Sequence, residues 1–143
     1  MSSKYLALKT AQRAEFEAFP IQFAFNAEQF KEALSKLGAT LEDTDKVCRL
    51  PGGGFIRKTD SAAFFAMIEK HHAEHWAEIA ADTDGTGYIY EMFAYELANH
   101  EYNYTRDPEP TLDALGLTIA EVEANPVMST AFKRAKAAQF KGD

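Results

Sequence analysis

The groups best equipped for chemistry in this chain are its four histidines, at positions 71, 72, 75 and 100, and the carboxylates among them. His71 and His75 stand four residues apart, as do Glu96 and His100, and that spacing puts two side chains on one face of a helix. On a helical wheel over residues 60–81, Phe64, Ile68 and Ile79 define an apolar stripe. His71 and His75 fall in its middle, with Glu78 at its edge. Over residues 88–102, Ile89, Phe93 and Leu97 form a second stripe that holds Glu96 and His100. A short loop between two such helices predicts an antiparallel hairpin with His71 level with His100 and His75 level with Glu96. Three imidazoles and a carboxylate converging there would suit Zn²⁺ or Fe²⁺. The same residues could equally hydrogen-bond one another in a core, because buried polar groups need partners. The order of residues forms no HExxH motif. The expectation is therefore no cofactor, with a metal site at His71, His75, Glu96 and His100 as the alternative.

The surroundings of these residues are strongly acidic. Residues 60–123 carry fourteen Asp and Glu against Lys70 and Arg106, a local net charge of −12 in a chain of 143 residues and net charge −7. Five of the six tyrosines fall in the same block. Tyr90 and Tyr95 point in different directions on a helix, so some of these rings belong at a surface. Tyrosines among carboxylates suit protein recognition, in which Tyr is enriched and charge steers the encounter. Tyr90, Tyr95, Glu91, Asn99, Glu101 and Tyr102 are the expected contact residues. The competing reading is a solvated acidic face, partly neutralised by Lys133, Arg134, Lys136 and Lys141. Net negative charge opposes direct nucleic-acid binding and attachment to an anionic membrane surface.

No stretch approaches the roughly 20 apolar residues of a membrane span. The single Cys48 excludes an intrachain disulfide and fits a reducing compartment, so a cytoplasmic location is expected. In a predicted strand, Cys48 reads as core rather than as a nucleophile.

The elements that must position these groups are partly legible. Residues 4–19 read as a helix stopped by Pro20. Ile21, Phe23 and Phe25 alternate with Gln22 and Ala24, the period of a half-buried strand over 21–25. Asn26 caps a helix that runs from Ala27 to Leu37 and ends at Gly38. Strands at 47–50 and 55–58 flank Pro51-Gly52-Gly53-Gly54, which reads as a hairpin turn. Asp60 opens a long helix to Ala81, and Asp82–Gly87 leads into a helix over 88–102. That loop begins like an EF-hand, but the twelfth position is Phe93 where calcium needs a bidentate Glu. It therefore reads as a turn whose Asp and Thr cap the next helix. Thr118 and Glu121 form a capping box, and Asn125-Pro126 starts the last helix.

The run Glu96-Leu97-Ala98-Asn99-His100-Glu101-Tyr102, then Thr105, Asp107 and Thr111–Thr118, resembles a family of small uncharacterised proteins of tailed phages, prophages and other mobile elements. Gly52-Gly53-Gly54-Phe55-Ile56-Arg57-Lys58 is similar to the same family. The resemblance implies an accessory protein acting on host or phage partners and transfers no catalytic residue. Together these readings predict one α+β domain over 1–143, mostly helical, with about three antiparallel strands and a central helical hairpin. The expected function is non-enzymatic binding of a basic protein partner through the acidic, Tyr-rich helices, as a nucleic-acid mimic in one variant. The metal-dependent reading stands as the alternative.

Overall fold

A computed structural model describes residues 3–50 and 53–140. Pro51 and Gly52 of the predicted hairpin turn, and Lys141, lie outside the described residues. In chain order the elements are α1 (Lys4–Ala18), β1 (Gln22–Phe23), α2 (Ala27–Lys36), β2 (Val47–Arg49), β3 (Gly54–Arg57) and α3 (Ser61–Ala81). They continue as α4 (Tyr88–Asn99), α5 (Tyr102–Thr105), α6 (Glu109–Leu115), α7 (Ile119–Ala124) and α8 (Pro126–Ala138). Helices dominate and the three strands form one antiparallel sheet, so the α+β class holds. The residues form two compact units, one of Ala11–Ala73 and the other of the residues up to Thr10 with those from Glu74 onward. Both divisions fall inside helices, within α1 and within α3.

In the unit Ala11–Ala73 the sheet order is β1-β3-β2. The central strand β3 buries both faces, which a strand does by aiming successive side chains to opposite sides. Phe55 joins Phe30, Leu34 and Leu37 under α2, and Ile56 joins Leu50 and Phe64. A Cβ at Gly54 would stand 2.9 Å from the Phe23 ring, so a larger residue there would push that ring aside. The helix α2 begins as its sequence predicts, with the Asn26 side chain accepting from the Gln29 N–H, and Gly38 follows its end at φ 75°. β1 is shorter than predicted. The Phe25 N–H donates to the Gln29 side chain rather than to a strand, so the chain leaves the sheet there. Phe25 is accordingly 87% exposed instead of lining a buried face.

The other unit is built around α4. Ile89, Met92, Phe93 and Leu97 pack on Ala131, Phe132 and Ala135 of α8 and on Leu112 of α6. The small Ala131 and Ala135 let α8 approach closely, and the Phe93 and Phe132 rings meet at 4.9 Å. Asn125 caps α8 by accepting from Val127 and Met128, and Thr118 with Glu121 forms the predicted capping box of α7. The apolar stripe of the long helix is divided between cores. Phe64 belongs to the core of Ala11–Ala73, Ile68 is 40% exposed, and only Ile79 joins Ile89, Phe93 and Leu97.

The helix predicted over 88–102 is broken. α4 stops at Asn99, Glu101 takes a left-handed conformation at φ 57°, and the turn α5 is closed by Arg106 at φ 60°. No glycine marks either position, so the usual signal for a left-handed helix end is missing. The break lets the chain return across α4, where the buried Thr111 hydroxyl donates to the Glu96 carbonyl at 3.1 Å.

Candidate functional site

The group that most needs explaining is Glu96, a carboxylate only 1% exposed in the middle of α4. Burying an ionised carboxylate is costly unless it is paired and hydrogen-bonded. Both conditions are met from the first two turns of α1. The Tyr5 hydroxyl donates to Oε2, and the Lys9 ammonium reaches the same oxygen at 2.5 Å. Tyr5 and Lys9 are four residues apart and so share one helix face. Asn99 Nδ2 donates to Oε1 at 3.4 Å, and His100 Nε2 lies 3.6 Å from that oxygen. Burial alone would push the carboxyl up, but the Lys9 ammonium and the Tyr5 hydroxyl outweigh it and hold it below the usual range.

Aromatic rings close the cluster. Tyr5 packs against Tyr88 at 5.6 Å and Tyr95 at 5.9 Å between ring centres, and Lys9 sits 5.2 Å over the Tyr95 ring. Tyr88, 4% exposed, shares a 2.6 Å hydrogen bond with His75 Nδ1. Burial, reinforced for Tyr5 by the hydrogen bond and charge of Glu96, raises both Tyr5 and Tyr88 above the ordinary phenol range. Next to them Glu91 Oε1 accepts from Ser3 Oγ and from the Tyr5 N–H, both at 3.2 Å, and so caps the start of α1. The chemistry available to Glu96 is therefore the holding of charge: Tyr5 and Lys9 fill one oxygen, and Asn99 bonds the other.

Of the residues named as metal ligands, His75, Glu96 and His100 lie in one unit and His71 in the other. Among the described residues, His75, Glu96 and His100 do not form a group with ligand atoms within 4.8 Å of one another. His75 turns to Tyr88, and Glu96 to α1. His71 lies in the unit Ala11–Ala73, where its Nε2 stands 3.5 Å from Glu15 Oε2, while Lys70 grips the same carboxylate at 3.0 Å. The predicted set rested on one hairpin register and left out α1, which supplies Tyr5 and Lys9 to Glu96. Sequence reading missed Tyr5 and Lys9, which lie outside the acidic block. The available signal was their shared helix face.

The loop Asp82–Gly87 behaves as a turn. Asp82 Oδ2 accepts from the N–H groups of Gly87 and Ile89, and Asp84 Oδ1 accepts from the N–H and hydroxyl of Thr86. Backbone bonds thus occupy oxygens that an ion would need.

Of the expected contact residues, Asn99 and Glu101 are exposed, and Tyr102 is half-buried beside Phe140. Tyr90 is half-buried under the Arg134 guanidinium, while Tyr95 and Glu91 are engaged with α1. The exposed acidic surface lies further along the chain. Glu101, Asp107, Glu109, Asp113, Glu121 and Glu123 are all exposed. Arg106, the only cation in 101–123, stacks on Phe140 at 4.7 Å. Tyr104, 87% exposed, and Ile119, 40% exposed, stand in the same run.

No helix among the described residues is long and apolar enough to cross a membrane. No curated protein and no solved structure matches the chain. The model of the family described as "Family of unknown function (DUF7659)" matches residues 4–138, a span that contains the Tyr5–Glu96 cluster and the whole acidic run, and the chain belongs to that family.

Proposed function

We propose that this protein is a non-enzymatic accessory protein that binds a basic protein partner through its acidic helices. The observation that carries this reading is the run 101–123, where every carboxylate is exposed and the one cation is stacked on a ring. Such a surface concentrates negative potential, which speeds encounter with a cationic partner and discourages anionic ones. Tyr104 and Ile119 supply exposed apolar area within it, of the kind that anchors a protein contact. A surface of regularly exposed carboxylates can also occupy a DNA-binding protein by imitating phosphates. The likeness of residues 96–102 and 111–118 to mobile-element proteins supports a phage or prophage setting inside the bacterial cytoplasm. The test is capture of partners from a bacterial lysate by the full chain at rising salt. The partners should be basic proteins released as salt screens the contact. Partners that are neutral, or held equally at high salt, would contradict the proposal.

A metal-binding reading retains one observation in its favour. His71 Nε2 is buried without a hydrogen-bond partner among the described residues, 3.5 Å from a Glu15 oxygen. A Zn²⁺ or Fe²⁺ there would need neutral imidazole, so protons would compete with the metal for that nitrogen. Elemental analysis of tag-free protein and of His71→Ala tests it, with metal expected in the first and absent from the second.

A further inference from the structure

From Lys46 to Thr59 the chain carries four cations, Lys46, Arg49, Arg57 and Lys58, and no carboxylate, inside a protein of net charge −7. The fold gathers three of them. The β2–β3 register pairs Val47 with Arg57, so Lys46 and Lys58, each one residue further on, come to the same end of the ladder. Like charges at facing positions destabilise a strand pair, so this end is a place where an anion is favoured.

A cavity of about 300 Å³ opens at that end. Leu37, Gly38 and Ala39 line one part of it, and Lys46, Arg57 and Lys58 line another, with Asp45 the one carboxylate on its wall. The cations are only lightly engaged. Lys46 meets Asp43 at 3.4 Å, and Arg57 meets Asp60 at 2.8 Å through Nε alone, which leaves its terminal nitrogens for other acceptors. These ion pairs are exposed, and pairs of that kind hold weakly. Among the described residues the Lys58 ammonium has no carboxylate within 4.0 Å. The apolar side is firm, since Leu37 is 6% and Ala39 8% exposed.

We propose that this cavity binds a small phosphate monoester, its phosphate held by Lys46, Arg57 and Lys58 and its organic part against Leu37 and Ala39. A monoester offers three acceptor oxygens and close to two negative charges, which matches a guanidinium fork flanked by two ammonium groups. The volume sits at the lower end of the roughly 300–1,000 Å³ of small-molecule pockets, so the ligand is small. This site is separate from the acidic run and stands or falls independently of it.

The test is titration of the ¹⁵N-labelled full chain with phenyl phosphate, inorganic phosphate and sodium chloride at matched ionic strength. Saturable shifts at the Gly38 and Thr59 amides are expected with both phosphates and not with chloride. Phenyl phosphate should bind more tightly, because its ring reaches Leu37. Equal affinity would identify free phosphate as the ligand and overturn the monoester assignment. Lys46→Ala/Lys58→Ala should weaken binding by about tenfold or more, with Lys58→Gln as a milder variant should the double variant fold poorly. Lys133→Ala/Lys136→Ala, on α8, should leave it unchanged. Shifts that chloride reproduces, or binding that survives both Lys58 variants undiminished, would overturn the site.

Discussion

Tyr5 and Glu96, separated by 91 positions in the sequence, share a buried hydrogen bond, and Lys9 completes the ion pair one helical turn along. Because the carboxylate is 1% exposed, water cannot replace a lost partner. Tyr5→Phe should therefore cost about 1.5–3 kcal/mol, the usual worth of a hydrogen bond to a charged group. Glu96→Ala should cost about 3 kcal/mol or more, as the breaking of a buried pair does. Urea denaturation of both single variants and the double variant checks this. The double variant should fall short of the sum by about 1 kcal/mol, because the two residues act on one interaction.

The same contact predicts how stability responds to acid. The Glu96 carboxyl is held below its ordinary value of 4.5 in the folded chain, so its contribution is fully present above that value. It is lost as pH falls through the lower folded value. The stability gap between the wild-type chain and Glu96→Gln should thus be constant near neutrality and shrink only below the ordinary carboxylate range. Glu15, Asp43 and Asp84 are depressed in the same direction, but all three are unchanged in Glu96→Gln and so cancel from the gap. A gap that persists unchanged into strong acid in high salt would show that Glu96 is not the charged partner described.

Gly85 tests the turn between α3 and α4. Its φ is +76°, and a Cβ there would stand 2.8 Å from Val127 Cγ1. Gly85→Ala should destabilise by about 1–3 kcal/mol through backbone strain and the clash together. Adding Val127→Ala should remove the closest contact and leave the strain and the 3.1 Å approach to the Val127 carbonyl oxygen, so thermal melts should show a partial recovery. Full recovery would mean that the left-handed conformation costs nothing.

The local signals in the sequence translated well. Asn26 and Gly38 bound α2, Thr118 and Glu121 open α7, and the Asp82–Gly87 loop is a turn because its carboxylates serve backbone N–H groups. Each of these rests on residues within a few positions of one another. The parts that depended on distant partners were not legible. A helical wheel aims Glu96 inward but cannot say that Tyr5 and Lys9 will meet it, and the assumed pairing of His75 with Glu96 gave way to Tyr88. The break at Glu101 was hidden because a residue other than glycine adopts the left-handed conformation. Phe25 was misplaced because alternation in the sequence does not show where a strand must yield to the cap of the next helix.

On the proposed function, the buried Glu96 cluster holds the fold while the exposed run 101–123 meets the partner. Quantitative mass spectrometry of partners captured from lysate by two variants separates these roles most directly. One variant is Glu96→Gln. The other is Glu101→Gln/Glu109→Gln/Asp113→Asn/Glu123→Gln, which leaves the hydrogen-bonding carboxylates Asp107 and Glu121 in place. Glu96→Gln, although less stable, should capture the same basic partners as the wild-type chain, and the neutralised variant should lose them. Loss of capture in Glu96→Gln with full capture by the neutralised variant would contradict the proposed function.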